Sequence, residues 1–337
     1  MEPHAADLWL PEGDAIRCGL CPHACRIREG ATGVCGVRRN VGGALVALTY
    51  GRVSSVAVDP IEKKPVFNFH PGSRVLSLGS VGCTMKCGHC QNWQISRAGV
   101  EDGGLSDLPP DRIVPLAHEH GCAGVAFTYN EPVIQAEYVR DCGRLAHEAG
   151  LFTVMVTNGY ITLEGLDYLA PSVDVWRVDV KGMTDAAYRT LCKVPSVEPV
   201  LRAAERAKLV HGMHVEVVTN VVPGINDDEA QLRELAGWIV GRLGPDTPWH
   251  VTRFFPYLEF AHVPPTPMAT LRRAREIGLA AGLHYVYLGN VDEPGSEDTA
   301  CPGCGRVLVR RDGYAVLETP GEGGTCPGCG RDTDVVI

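Results

Sequence analysis

The chain has 337 residues, with 31 basic and 40 acidic side chains, a formal charge of -9 and a hydrophobic content of 45%. That balance describes an ordinary globular protein and argues against a broad nucleic-acid-binding surface. No run approaches the ~20 consecutive apolar residues of a membrane span. Met1-Glu2-Pro3-His4-Ala5-Ala6-Asp7 shows neither the basic nor the apolar region of a secretory signal, so a cytoplasmic location is expected.

Fourteen cysteines would mean disulfides in a small secreted domain, but eleven of them fall in three clusters, a spacing that points to metal in a chain of this size. Cys122, Cys142 and Cys192 stand alone and read as core residues. Residues 1–70 form the first predicted segment. It contains Cys18, Cys21, Cys25 and Cys35 at C-x2-C-x3-C-x9-C spacing. Four ligands this close can close a metal site that stabilises a segment with little core of its own. Zinc and an auxiliary iron–sulfur cluster both satisfy the pattern, and His23 is an alternative donor. Residues 46–58 then alternate as strands or as a hairpin around Gly51.

From 71 to 293 short apolar strands alternate with helical patterns, the signature of parallel α/β units. Strands are predicted at 75–81, 124–128, 152–157, 173–180, 214–222, 249–255 and 285–288. Leu232, Leu235, Ala236, Ile239, Val240 and Leu243 make one stripe of a helix. Another helix is expected to start with Thr266 as N-cap and Pro267 at its first position, and to fade at Gly282. Ile134, Tyr138, Leu145 and Ala149 mark a third, with Cys142 on its apolar side.

The second cysteine cluster follows the first of these strands: Cys83-Thr84-Met85-Lys86-Cys87-Gly88-His89-Cys90, or C-x3-C-x2-C. Three thiolates can hold three irons of a cubane and leave the fourth without a protein donor. A structural zinc would need a fourth ligand, for which His89 is at hand. Polar motifs recur at the ends of later strands, where the loops of a barrel gather. They are Asn130-Glu131-Pro132, Thr157-Asn158-Gly159, Asp179-Val180-Lys181 and Val222-Pro223-Gly224. Alternation puts Asp179 and Lys181 on one face, where they pair with each other or meet a polar ligand. His250, Arg253 and His262 are weaker candidates, Arg253 as a holder of a substrate anion.

The C-x3-C-x2-C stretch resembles the defining motif of the radical S-adenosylmethionine (SAM) enzymes, in the branch of the pyruvate formate-lyase activating enzymes. The runs Cys18–Cys25 and Asp59-Pro60-Ile61-Glu62-Lys63-Lys64-Pro65 resemble the radical SAM member of the AmmeMemoRadiSam group, over nearly the whole chain. The resemblance implies a partial (β/α)6 barrel, with Cys83, Cys87 and Cys90 holding a [4Fe-4S] cluster and SAM as cosubstrate. It implies cofactor contacts from Asn130 and Glu131, in place of a Gly-Gly-Glu-Pro turn, and from Asn158, Asp179, Lys181 and Val222. The first Gly-Gly of that turn is absent here. A reductant such as flavodoxin or ferredoxin is implied as partner, with Memo-type and AMMECR-type proteins or a protein substrate beside it.

Residues 294–337 carry the third cluster, two Cys-Pro-Gly-Cys-Gly knuckles with Cys301, Cys304, Cys326 and Cys329, around a hairpin turning at Asp312-Gly313. This reads as a zinc-ribbon or rubredoxin-like domain holding zinc or iron. The reading as a whole is an α/β enzyme that splits SAM reductively and abstracts hydrogen from a substrate. The alternatives are a glycyl-radical activating enzyme and a non-catalytic metal or electron-transfer protein.

Overall fold

The computed structural model of the chain describes residues 4–319 and 324–337; Met1-Glu2-Pro3, which open the segment read above for a signal, lie outside them. Two compact units divide the chain. The first comprises Met1–Asp59, Arg74–Trp176 and Glu198–Met213; the second comprises Pro60–Ser73, Arg177–Val197 and His214–Ile337.

In the first unit the N-terminal region is built from short antiparallel strands. Trp9–Glu12, Ala15–Cys18 and Arg26–Arg28 form one sheet, and His4–Ala5, Ala44–Ala47 and Arg38–Val41 another. The expected strands around Gly51 exist but do not pair as a hairpin: Ala44–Ala47 joins the second sheet, while Arg52–Val53 pairs with Ser106–Asp107. The α/β part of this unit begins with parallel strands β1 (Arg74–Gly79), β2 (Gly124–Phe127) and β3 (Phe152–Thr157), with Gly124 opposite both Val75 and Phe152. Every residue of β2 is buried, so the strand is covered on both faces and reads as a continuous apolar run.

Helix α1 (Ala136–Glu148) follows β2 and turns Tyr138, Val139, Cys142 and Ala146 inward. Ile134 of the expected helical stripe lies just before it, in the 3-10 turn Pro132–Gln135. A buried bidentate ion pair joins Arg38 to Glu137 at 2.8 and 2.9 Å, tying the N-terminal sheets to α1.

Strand β4 (Val175–Asp179) begins in the first unit and ends in the second. The second unit continues with parallel β5 (His214–Val221), β6 (Trp249–Arg253) and β7 (Val286–Gly289). Helix α2 (Glu229–Trp238) is capped by Asp228, whose carboxylate accepts from Gln231 N at 3.0 Å. The expected stripe through Leu243 is present, but its end, Ile239–Leu243, is wound as a π-helix. Helix α3 (Met268–Ala280) starts one residue later than predicted, with Pro267 at the N-cap position. Thr266 is not its cap. The buried hydroxyl instead donates to Val221 O at 2.6 Å and accepts from Phe254 N at 2.8 Å, stitching the ends of β5 and β6.

The C-terminal hairpin, Val307–Asp312 against Ala315–Glu318, forms as predicted. From it, Arg311 reaches the 60–73 segment: it donates to Phe67 O at 2.6 Å, lies 4.3 Å over the Phe67 ring and faces Glu62 at 3.6 Å.

Candidate functional site

The loop after β1 is held from three directions within the first unit. Asn130, just past β2, accepts from Ser80 N at 2.9 Å and donates to Val81 O and Gly82 O at 3.3 and 3.1 Å. Its side chain therefore fixes the approach to Cys83. Gly82 takes φ +87°, and a Cβ there would lie 2.4 Å from Cys35 O, so both the backbone conformation and the close approach require glycine. From β3, Asn158 donates to Thr84 Oγ1 at 3.0 Å and to Cys83 Sγ at 3.5 Å.

Glu131 is almost fully buried and its carboxylate is fully engaged. It accepts from Val133 N (3.0 Å), Thr157 Oγ1 (2.6 Å) and Asn158 N (2.8 Å). It thus caps the 3-10 turn and pins the end of β3, setting Asn158 against Cys83. Burial pushes the Cys83 thiol well up, and the charges of Glu131, Cys87 and Cys90 push it further. Its sulfur accepts from Met85 N at 3.4 Å, and Cys90 Sγ lies 3.3 Å from Ser96 Oγ. Cys83 therefore sits beside two further thiols, with N–H groups on its own sulfur, a donor type that suits a thiophilic metal. An iron–sulfur cluster fits it.

Sequence reasoning missed Tyr129. It directly precedes Asn130-Glu131-Pro132 and adopts a backbone conformation that favours glycine, φ +73°. Its hydroxyl donates to Asp59 at 2.6 Å and its carbonyl accepts from Asn92 Nδ2 at 2.8 Å. Gly79 leaves room for its ring, since a Cβ there would come within 2.8 Å of Tyr129 Cδ2. Tyr129 links the turn to the far end of the cysteine loop. Asp59 opens the motif Asp59–Pro65, so the signal was present; only its partner was not.

In the second unit, Asp179 accepts from Arg177 at 2.7 Å and faces Lys181 Nζ at 3.3 Å. Burial alone would raise this carboxyl, but Arg177 and Lys181 outweigh it and hold Asp179 below the usual range. The expected Asp179–Lys181 pair is a triad. Asn226 connects it to Val222, donating to Lys181 O at 3.1 Å and accepting from Val222 N at 2.6 Å.

His250 is buried, with Nε2 2.5 Å from Glu216. The Glu216 carboxylate also accepts from Phe67 N, Asn68 N and His214. Arg253 donates to Thr266 O at 3.0 Å and stacks over Phe255. His262 is exposed.

The C-terminal cysteines converge. All four ligand atoms lie within 4.8 Å of one another, with Cys301–Cys329 and Cys304–Cys326 sulfurs 3.6 Å apart. That spacing suits one ion on four thiolates at about 2.3 Å each. Despite desolvation, backbone N–H groups from Gly328 and Cys329 hold the Cys326 thiol down to about 6. Among the described residues this is the one group of three or more metal donors brought together in this way; neither Cys83, Cys87 and Cys90 nor Cys18, Cys21, Cys25 and Cys35 forms another. Cys18, Cys21, Cys25 and Cys35 stay near enough to act on one another's charge.

Parallel α/β units with a three-cysteine loop at the end of the first strand define the class. The model of the radical SAM superfamily matches residues 78–236. The chain belongs to the radical SAM superfamily and is an enzyme of that type, which implies a [4Fe-4S] cluster and SAM. It is 30% identical to the pyruvate formate-lyase 1-activating enzyme of Escherichia coli over 174 residues, 49% of this chain and 68% of that enzyme. It is 42% identical to an uncharacterized protein of Methanocaldococcus jannaschii over 300 residues, 89% of each. A solved domain of a pyruvate-formate lyase-activating enzyme from Bacteroides vulgatus aligns at a TM-score of 0.43 and 20% identity, over 50% of this chain and 99% of that one.

Proposed function

We propose that this enzyme uses a [4Fe-4S] cluster on Cys83, Cys87 and Cys90 to cleave SAM reductively to a 5′-deoxyadenosyl radical that abstracts hydrogen from a substrate. The observation that carries the reading is the donor set itself: half-buried Cys83, beside Cys87 and Cys90, with its sulfur receiving N–H groups from Met85 and Asn158. Asn130 and Glu131 serve the cofactor through the backbone they fix, because their own polar atoms are committed to the loop and to β3. Asn158 orients Cys83. Asp179, Lys181 and Val222 are carried forward as cofactor-binding residues on the resemblance alone.

In this reading residues 71–293 are the partial (β/α)6 barrel, residues 1–70 an N-terminal metal-binding segment, and residues 294–337 a zinc ribbon. A low-potential carrier such as flavodoxin or ferredoxin supplies the electron. The Cys18–Cys25 and Asp59–Pro65 runs support membership of the AmmeMemoRadiSam system, with Memo-type and AMMECR-type proteins as partners.

The test is anaerobic reconstitution with iron and sulfide, then dithionite and SAM, with 5′-deoxyadenosine assayed and iron and zinc counted. Product that depends on the three central cysteines supports the proposal. A chain that takes up only zinc overturns it. A second reading, activation of a glycyl-radical enzyme, is favoured by the similarity to the Escherichia coli activating enzyme. It requires a protein substrate that gains a glycyl radical signal when mixed with the reduced enzyme and SAM.

A further inference from the structure

We propose that Ser96 is a positioning residue of the cysteine loop: its hydroxyl donates to the Cys90 sulfur and raises the reduction potential of a [4Fe-4S] cluster on that loop. The effect on potential rests on the function proposed above; the clasp that aims the hydroxyl does not.

Downstream of the three cysteines the chain makes one turn of helix, Trp93–Ser96, and folds back onto the loop it has just left. Asn92, at the start of that turn, donates from Nδ2 to Tyr129 O at 2.8 Å. Ile95 O accepts from Gly82 N at 2.9 Å, directly before Cys83. Arg97 Nη2 donates at 3.1 Å to Cys87 O, which also accepts from Cys90 N at 3.4 Å. The Ile95 side chain packs on the buried cluster of Cys35, Val37, Val81 and Ile134. These contacts, all within the first unit, close residues 92–97 as a clasp over both ends of the cysteine run.

The clasp aims Ser96. The residue is 6% exposed, and its Oγ lies 3.3 Å from Cys90 Sγ. A serine in a helical turn often returns its hydroxyl to the carbonyl four residues back. Here that carbonyl, Asn92 O, accepts the Ser96 backbone N–H at 3.0 Å, and the hydroxyl faces sulfur instead. A thiolate that binds metal carries no proton, so its sulfur can only accept and the hydroxyl must donate. Such a bond draws charge from sulfur, favours the more negative, reduced state of a cluster and so raises its potential. Met85 N and Asn158 serve Cys83 in the same way, and Ser96 does so at the opposite end of the loop.

The experiment compares the full chain with its Ser96→Ala, Ser96→Thr and Asn92→Ala variants. Each is reconstituted anaerobically with iron and sulfide, its iron is counted, and the midpoint potential of the cluster is read by paramagnetic resonance during a dithionite titration. Amide exchange at Gly82 is followed in the metal-free chains. Ser96→Ala is expected to keep its iron and lower the midpoint potential, and Ser96→Thr, which retains the hydroxyl, to restore it. Asn92→Ala is expected to quicken exchange at Gly82 about tenfold, because one tie of the clasp is gone. An unchanged potential in Ser96→Ala at full iron content overturns the inference, as does an equal fall in Ser96→Thr, which would assign the effect to packing. If Ser96→Ala holds no cluster, Asn92→Ala decides: faster exchange with a lower potential supports the inference, and either one unchanged overturns it. A wild-type chain that forms no cluster removes the proposed function and the effect on potential with it. The clasp is then judged by exchange in metal-free Asn92→Ala, where an unchanged rate overturns it.

Discussion

Tyr129 occupies a backbone conformation that costs a non-glycine residue roughly 1–2 kcal/mol, and it does so beside the cysteine loop. The Asp59 hydrogen bond and the ring packed over Gly79 offset that strain. Two substitutions separate the terms. Tyr129→Gly and Tyr129→Ala both lose ring and hydroxyl, but only glycine escapes the strain, so in urea unfolding the glycine variant should be the more stable by about 1 kcal/mol. Equal stabilities would remove strain from the account. Glu216 makes a second case at this scale. Burial opposes its charge, yet hydrogen bonds from His214 and His250 outweigh it and hold the carboxyl well below its usual range. A folded-state pKa below the unfolded value of about 4.3 means that the stabilisation is complete above that pH and is lost as pH falls beneath it. Glu216→Gln should destabilise the chain by about 3 kcal/mol at pH 7 and flatten the acid limb of its urea midpoint against pH. A wild-type midpoint that stays constant as pH falls from about 5 to about 2.5 would contradict this, since the change begins as the unfolded carboxyl titrates.

At the scale of elements, what matters is how loops are held. The cysteine loop takes its shape from Asn130, Asn158 and the N-terminal segment, and in the proposed function its own thiols would hold the cluster. Cys87→Ala should therefore abolish iron uptake at the central site and SAM cleavage while leaving the C-terminal site's metal in place, measured by metal counts on the reconstituted variant. The 60–73 segment is gripped by the backbone bonds of Phe67 and Asn68 to Glu216 and by Arg311 from the C-terminal hairpin. Arg311 lies on the strand whose Leu308 and Val309 pack with Cys301 and Cys326. Removing metal from the four C-terminal thiols should loosen that hairpin and quicken amide exchange at residues 66–69. Cys329→Ser gives the same result without chelator if the coupling runs through the metal.

For the molecule as a whole, the α/β framework was legible because burial on both faces leaves long apolar runs, and strands fell at or within a residue or two of 75–81, 152–157 and 214–222. The C-terminal metal group was legible from its repeated knuckles. The commitments of individual polar atoms were not. Asn130 spends its amide on a loop fifty residues earlier, and Glu131 on a strand end twenty-seven residues later; neither separation has a periodicity that a single chain displays. Thr266 looked like a helix cap because local spacing cannot reveal a hydroxyl that bonds to Val221, forty-five residues away.

The buried pair of Arg38 and Glu137 spans ninety-nine residues of sequence. During synthesis at about 5–20 residues per second, Arg38 waits roughly 5–20 seconds for its carboxylate to be made. Throughout that interval the strand that carries Arg38, and the N-terminal cysteines before it, stand without helix α1. The ribosome-bound chain therefore meets thiol-reactive oxidants and chaperones before this ion pair can close, and that delay bears on how much of the chain reaches its native state.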